Sequence, residues 1–427
     1  MSSDARHTAK ASKRALTLKA SVSFITFMGA SALVNPAIAQ TIILDGDNVT
    51  VTSQANGETI SAAAGVTSTV DGAPVVLITN DDVTLDNAGT LATINGSQTV
   101  QAGPDTVGAI INNAATGVLN GDSRVVQIDG DGATLNNDGQ IIGTGDQRNG
   151  TVYTNATATD FTLNNTGTID AGAGNLGAGF SAEGVAEGTV INVNNSGTIQ
   201  GRGQSGAGLA TAGDGIRFER TRVAGALDAT TSALFSSTIE NSGTIASESL
   251  QGTAAGIRFV NGVSFNGTIN NSGTISGAQN GLYFGNATPA GGGDFTGAVV
   301  NNTGTISSDS RAFNLDGTGL TVNNSGQIIG TGNQRNGTFY ADGTADNFTI
   351  NNLEDGVIDA GAGNTGSGLG LEIGGAADGA NTFTLVNDGA IQGRGNAAAG
   401  VNAAGDGIRV GNVGNIGIAE GLSLIHI

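Results

Sequence analysis

A short alternation of apolar and polar residues recurs along most of this chain. The copy at residues 193–199 reads Val-Asn-Asn-Ser-Gly-Thr-Ile. Asn tolerates the left-handed backbone conformation, and Gly adopts positive φ without a steric penalty. The β-branched residues on either side favour a pleated, half-buried surface. Each copy is therefore predicted to form a strand, a tight bend and a second strand.

The motif is spaced as in a solenoid. Copies lie at 85–91, 111–118, 135–141, 163–169, 239–245, 269–275, 300–306, 322–328, 350–358 and 385–391, with motif glycines 22 to 46 residues apart. Gly, Asn, Thr and Ser disfavour helical repeats, and no leucine-rich ladder is present. We predict an all-β fold, a parallel β-helix (β-solenoid) of about 12–14 coils in which like residues stack. Its length would be about 60 Å.

A second apolar segment recurs between the bends. It reads Gly-Ile-Arg-Phe at 215–218 and 256–259, with related copies at 281–284 and 407–410. Because side chains alternate along a strand, Ile and Phe face inward together and the Arg faces the opposite side. We predict another strand in each coil, with its Arg pointing to solvent.

A longer duplication overlies the short repeat. Residues 139–150 recur at 326–337, an offset of 187, and the duplicated blocks span 109–225 and 296–414. The 46-residue interval between Gly197 and Gly243 is either two short coils or one coil with an outward loop. We favour a loop around 219–232, which carries Arg220 and Arg222.

The two ends differ from the repeats. Residues 1–39 combine a basic region with an apolar run and an Ala-x-Ala site, the pattern of a secretory signal peptide; a membrane anchor is the weaker alternative. Residues 40–105 are predicted to form the first coils and cap, and 106–421 the repetitive β-helix. Residues 422–427 abandon the pattern and resemble a translated sequencing adapter. We expect a non-native tail on a truncated chain; the alternative is a natural apolar strand.

Charge and composition exclude several functions. The formal net charge is −20, and no Lys follows Lys19, which argues against binding nucleic acid or anionic lipid. The chain has no Cys, and residues 40–421 contain no His or Lys. These absences exclude Ser-His-Asp and Cys-His catalysis, His or Cys metal sites and Schiff-base chemistry. The Gly-Asp-Ser-Arg segment at 121–124 is therefore interpreted as a turn.

Carboxylates are the remaining route to catalysis. Candidates are Asp129, Asp131, Asp170, Asp214, Asp359 and Asp406. Most adjoin Gly in repeated turns, where Asp caps its own backbone, so a structural role is favoured and no catalytic residue is predicted. Segments 45–48 and 129–132 would ligate Ca²⁺ only loosely, and no metal or cofactor site is predicted. The G-x-G-x-x-G matches at 172–177 and 361–366 lack a βαβ context and indicate glycine-rich bends.

The repeats resemble the passenger domains of autotransporters, the type V secreted proteins of Gram-negative bacteria. The resemblance rests on Asn-Asn-Ser-Gly-Thr-Ile at 194–199 and 270–275, on Glu-Asn-Ser-Gly-Thr-Ile at 240–245 and on the long basic signal; it covers about residues 80–415. It implies a right-handed parallel β-helix that is exported through the inner membrane. An outer-membrane β-barrel translocator is then expected downstream in the intact chain.

The function expected from this resemblance is a non-catalytic, surface-displayed structural or adhesive passenger. Its expected partners are a host or neighbouring-cell surface, a glycan or another copy of itself. The alternative is a secreted polysaccharide lyase or hydrolase that uses Asp carboxylates on the same fold. A calcium-dependent or trimeric adhesin is disfavoured, because nonapeptide and heptad repeats are absent.

Overall fold

The chain winds into coils whose strands stack in parallel to form three long sheets. The structure, a computed structural model, describes residues 41–145, 150–173, 176–185, 187–203, 213–219, 222–223, 226–227, 234–249, 254–260, 263–285, 293–333, 336–372, 382–395 and 405–411. All of these belong to one compact unit, residues 39–427. Within them every regular element is a strand. None of the described segments is a helix of the length and apolarity that crossing a membrane requires.

The first sheet contains the strands that precede the motif bend. Its 13 strands are β1 (Thr41–Leu44), β3 (Thr59–Ala62), β6 (Thr84–Asn87), β9 (Ile110–Asn113), β12 (Ala133–Asn137), β15 (Asp160–Asn165), β18 (Val190–Asn195), β24 (Thr238–Asn241), β28 (Thr268–Asn271), β32 (Val299–Asn302), β36 (Thr321–Asn324), β39 (Phe348–Asn352) and β42 (Phe383–Asn387).

The second sheet contains the strands that follow the bend. Its 12 strands are β4 (Thr67–Asp71), β7 (Thr90–Ile94), β10 (Val118–Gly121), β13 (Gln140–Gly143), β16 (Thr168–Asp170), β19 (Thr198–Gly201), β25 (Thr244–Ser247), β29 (Thr274–Gly277), β33 (Thr305–Ser308), β37 (Gln327–Gly330), β40 (Val357–Asp359) and β43 (Ala390–Gln392).

The third sheet is built from the other recurring apolar segment. Its 13 strands are β2 (Val51–Thr52), β5 (Val76–Ile78), β8 (Val100–Ala102), β11 (Val126–Ile128), β14 (Val152–Thr154), β17 (Phe180–Glu183), β20 (Ile216–Glu219), β26 (Ala255–Val260), β30 (Asn280–Phe284), β34 (Arg311–Leu315), β38 (Phe339–Ala341), β41 (Leu369–Glu372) and β44 (Ile408–Gly411). The predicted parallel β-helix, with its strand–bend–strand motif and third strand, is confirmed.

The described residues also form three two-stranded sheets. They pair β21 (Arg222–Val223) with β22 (Ala226–Leu227), β23 (Leu234–Phe235) with β27 (Ser264–Phe265), and β31 (Gly293–Asp294) with β35 (Gly317–Thr318). The first pair is antiparallel and lies in the long interval between Gly197 and Gly243. Strands β18 and β19 pair directly with β24 and β25, so this interval is one coil with an insertion. Arg220 lies outside the described residues.

The core is a narrow column of inward-facing aliphatic and phenyl side chains. Ile199, for example, is fully buried and stacks in register between Ile169 and Ile245. The ring of Phe259 lies 5.1 Å from that of Phe218 and 4.8 Å from that of Phe284, in stacked geometry. Stacking identical positions therefore supplies a continuous interior without a wide globular core.

The structure corrects the predicted role of Gly and Asn in the motif bends. None of the motif glycines has φ in the left-handed region, and neither do the motif asparagines. Gly is required because coils approach closely: a Cβ on Gly243 would lie 2.2 Å from the carbonyl oxygen of Gly197 in the preceding coil. The Asn that ends each first-sheet strand from β6 to β39 instead turns inward and is buried, as Asn195 is.

The structure also corrects the predicted exposure of the Gly-Ile-Arg-Phe arginines. Arg217 and Arg258 do leave the core side of the third sheet, but each side chain is only 13% exposed. They are covered because carboxylates and a tyrosine pack beside them. Arg409 is exposed, as predicted.

Candidate functional site

The outward face of the third sheet gathers arginines and tyrosines into a single row. In-register stacking places equivalent strand positions about 4.8 Å apart. The row, here called the Arg–Tyr row, comprises Gln101, Gln127, Tyr153, Ser181, Arg217, Arg258, Tyr283, Asn314, Tyr340, Gly370 and Arg409. All three tyrosines of the chain lie in it.

A second row of acidic side chains runs beside the first. Two residues beyond five positions of the Arg–Tyr row, on the same face, lie Asp129, Glu183, Glu219, Asp316 and Asp342, here called the acidic row. The Tyr153 hydroxyl donates to Glu183 Oε2 at 3.2 Å, and the Tyr283 hydroxyl donates to Asp316 Oδ2 at 2.9 Å. Arg217 forms an ion pair with Glu219. Hydrogen bonds and an ion pair therefore join the two rows into one polar surface.

The 187-residue duplication repeats an arginine–tyrosine contact in this surface. The guanidinium carbon of Arg124 lies 3.9 Å from the Tyr153 ring centroid, and that of Arg311 lies 4.1 Å from the Tyr340 ring centroid. Both separations suit a cation–π interaction. The three tyrosines are buried, and burial raises the pKa of Tyr153 and of Tyr283.

Asp316 and Asp342 form a carboxyl pair at the ends of β34 and β38. Burial, and then the charge of Asp342, raise the pKa of Asp316 to about 7, although the Tyr283 hydroxyl and Arg311 oppose the shift. At neutral pH Asp316 is therefore protonated in about half of the molecules, so it can donate a proton beside a second carboxyl group.

Two of the acids suggested by the sequence lie in or beside the two rows. Asp129 belongs to the acidic row, where its Oδ2 accepts a hydrogen bond from Gln127 Nε2 at 2.6 Å. Asp214 is fully buried beside Arg258, and burial raises its pKa. Its Oδ1 accepts a hydrogen bond from the backbone of Ala255 at 2.8 Å, so it is enclosed in the fold.

Asp170 and Asp359 form equivalent clamps in the two duplicated blocks. Arg202 donates two hydrogen bonds to Asp170, each 2.8 Å long, and Arg394 binds Asp359 in the same two-point manner. Burial alone would raise the pKa of both carboxyl groups, but hydrogen bonds from these arginines hold each below its usual range. The repetition indicates that both clamps stabilise the coil.

Asp131 and Asp406 lie away from the acidic row. Asp131 Oδ1 accepts hydrogen bonds from the Thr159 hydroxyl and the Asp160 backbone, both 2.7 Å long, and the Thr159 contact lowers its pKa. Asp406 is half-buried, and its backbone carbonyl accepts a hydrogen bond from Gly368. The Asp214 carbonyl accepts from Gly179 in the equivalent way.

The remaining sequence candidates form turns. In segment 45–48, the Asp47 carbonyl accepts from Ser68 and the Asn48 side chain accepts from the Thr69 backbone. The first glycines of the two G-x-G-x-x-G matches, Gly172 and Gly361, have φ of 88° and 87°. In segment 121–124, Asp122 accepts a hydrogen bond from the Gly96 backbone. No group of three or more His, Cys, Asp or Glu that could hold a metal ion occurs among the described residues.

Sequence reasoning missed the tyrosines and the Asp316–Asp342 pair. One signal was present: the offset of 187 that relates Arg124 to Arg311 also relates Tyr153 to Tyr340. It did not show that Tyr283 would join them, because that requires the strand register. No protein-family model matches this chain, and comparisons with curated proteins and with solved structures return no match. Function must therefore be argued from geometry.

Proposed function

We propose that this chain is an exported, surface-displayed structural or adhesive passenger of an autotransporter in a Gram-negative bacterium. The observation that carries the proposal is the unbroken stack of coils, each held mainly by its neighbours. Such a chain folds by adding one coil to the last, which suits a protein that emerges progressively through a translocator. Its acidic, polar exterior favours solubility of the extended rod.

Surface display tests the proposal directly. The full chain, fused to an established outer-membrane translocator in a Gram-negative host, is expected to become accessible to external protease and to increase attachment between cells or to surfaces. A Gly243→Val fusion, in which the side chain blocks coil stacking, serves as the matched control. Retention in the periplasm, or display without any change in attachment, would contradict the proposal.

A polysaccharide lyase or hydrolase is the second candidate, favoured by the Asp316–Asp342 pair. Asp316, whose pKa is raised to about 7, beside a second carboxyl group matches the requirement of acid–base cleavage of a glycosidic linkage. Asp316→Asn and Asp342→Asn should each abolish release of new chain ends from acidic or neutral glycans, whereas Asp131→Asn should not. An intact protein without turnover would eliminate this candidate and leave the adhesive role standing.

A further inference from the structure

The outward face of the first sheet carries a row of asparagines that is interrupted once. The row comprises Asn112, Asn136, Asn164, Asn194, Asn270, Asn301, Asn323 and Asn351, here called the outer asparagine row. The row consists of two runs, Asn112 to Asn194 and Asn270 to Asn351. Within each run, neighbouring side-chain amides form hydrogen bonds of 2.8 Å. The interruption lies at Glu240, which occupies the row position between Asn194 and Asn270.

A carboxylate sets the direction of each run. Asn112 Nδ2 donates to Asp86 Oδ1 at 2.8 Å, and Asn270 Nδ2 donates to Glu240 Oε1 at 2.6 Å. A carboxylate can only accept, so the amide beside it must present its NH₂ group, and every later amide in the run must follow. All NH₂ groups of the row therefore point toward the N-terminal end of the stack, and each carbonyl oxygen points the other way.

This direction leaves two acceptors facing each other. Asn194 uses its NH₂ group on Asn164, so its Oδ1 points toward Glu240, its register partner. Among the described residues no group donates a hydrogen bond to Asn194 Oδ1 or to Glu240 Oε2. Both side chains are exposed, whereas Asn164 and Asn270 on either side are half-buried. Between its two runs the row thus lacks a donor.

The gap lies in a groove of about 450 Å³. The outer asparagine row from Asn164 to Asn301 forms one part of its lining, and hydroxyl groups of the motif bends form another; these are Thr166, Ser196, Ser242, Ser272 and Thr303. Glu240 is the only charged residue in the lining, and it lies in β24, the first-sheet strand that follows the long insertion. The groove therefore combines amide and hydroxyl partners with one negative charge.

We propose that the Asn194–Glu240 gap binds a primary ammonium group on an amino-sugar oligosaccharide. An ammonium group has three donors and no acceptor, so it can satisfy Asn194 Oδ1 and the Glu240 carboxylate together. The sugar hydroxyls, which both donate and accept, match the amide and hydroxyl lining. The acidic rod favours a cationic ligand. This binding activity goes beyond surface display and does not depend on it.

Calorimetric titration of the full chain with a glucosamine oligosaccharide tests the site. Wild type is expected to bind the oligosaccharide with free amines and not its N-acetylated counterpart. Glu240→Asn places at this position the residue that eight other coils carry, which closes the gap and preserves the fold. This variant should weaken binding about tenfold or more, as the loss of a charge-assisted hydrogen bond predicts.

Asp86→Asn is the matched control, because it makes the same change at the other carboxylate of the row, outside the groove. Unchanged binding by Asp86→Asn, with loss in Glu240→Asn, supports the site. An equal loss in both variants would overturn it, since net charge would then explain the affinity. Binding of the N-acetylated oligosaccharide as tightly as the free amine, or no binding by wild type, would also overturn it.

Discussion

At the scale of the residue, the buried asparagine that ends the first-sheet strands β6 to β39 makes several hydrogen bonds, as Asn195 shows. Asn195 Oδ1 accepts from Asn165 Nδ2 at 2.7 Å, and its Nδ2 donates to Asn241 Oδ1 at 2.8 Å. The same NH₂ group contacts the Gly197 carbonyl at 3.3 Å and the Thr244 carbonyl at 3.1 Å. One side chain therefore satisfies both the bend and the next coil, away from water.

Removing a buried asparagine should cost far more than removing an exposed one. Asn195→Ala leaves the buried Asn241 Oδ1 without its donor and takes one acceptor from Asn165 Nδ2, so we expect a loss of about 2–4 kcal/mol in the free energy of local unfolding. Asn194→Ala, the exposed neighbour, should lose less than about 1 kcal/mol. Hydrogen exchange of the backbone amides in the flanking coils measures the local unfolding free energy in both variants. Equal effects would contradict the assigned importance of burial.

Asp316 should make stability depend on pH. Its pKa of about 7 exceeds the ordinary 3.8, so the folded chain holds this proton more tightly than the unfolded chain. The stabilising contribution is fully present below about pH 3.8 and is lost as the pH rises through about 7. Asp316→Asn should therefore flatten the decline in unfolding midpoint between pH 5 and 8. It should make the protein more stable than wild type at pH 8.

Asp105→Asn, a substitution at an exposed turn, controls for the removal of one negative charge. It should leave the pH dependence of the unfolding midpoint as in wild type. A wild-type decline that persists in Asp316→Asn would show that other groups cause it.

At the scale of the element, the motif bend depends on a column of glycines with no room for a side chain. The column is a close contact between backbones: the Gly197 carbonyl lies under Gly243 as the Gly167 carbonyl lies under Gly197. The backbone cannot withdraw there, because Thr244 N donates to that Gly197 carbonyl at 2.8 Å. A side chain would break the hydrogen bonding that joins the coils.

Two Gly→Ala substitutions separate close contact from backbone conformation. Gly243→Ala should destabilise the protein by about 3 kcal/mol or more, since its Cβ would overlap the preceding backbone. Gly188 has φ of +83°, and a Cβ added there would meet no heavy atom within 4 Å, so Gly188→Ala should cost only about 1 kcal/mol of backbone strain. The chemical unfolding midpoints of the two variants show which substitution destabilises the protein more. A larger effect at Gly188 would mean that positive φ matters more than contact.

At the scale of the whole molecule, the stack should tolerate the loss of one complete coil. Deletion of residues 244–273 joins Gly243 to Thr274, so Asn241 would meet Asn302 and every core column would stay in register. We expect a folded β-helix that is one coil shorter, because coils interact mainly with their neighbours. Circular dichroism and small-angle scattering measure the retained fold and the shorter length.

A deletion of half that size, residues 244–258, serves as the control. It would place third-sheet residues where second-sheet residues belong and would disrupt the core columns. This variant should lose cooperative unfolding. If both deletions behave alike, the coil is not the independent unit of the fold.

The repeat by itself determined the architecture. A strand with one face buried is specified by its period-two pattern, and repeating that pattern about every 30 residues leaves stacking as the way to bury each face. The three sheets and the core columns follow from that rule, whereas the strand register decided that the interval between Gly197 and Gly243 is a single coil. The same local reasoning misassigned the motif Gly and Asn to special φ values, because contact between coils cannot be read from one coil.

Only the tertiary structure decided which distant residues meet. Tyr153, Tyr283 and Tyr340 share a row because the coils stack in register, although their separations of 130 and 57 residues suggest no relation. Asp316 and Asp342 lie in neighbouring coils for the same reason, and Asn194 meets Glu240 across an insertion. A motif determines which way each side chain faces; the register between coils determines its neighbours, and through them its charge and its chemistry.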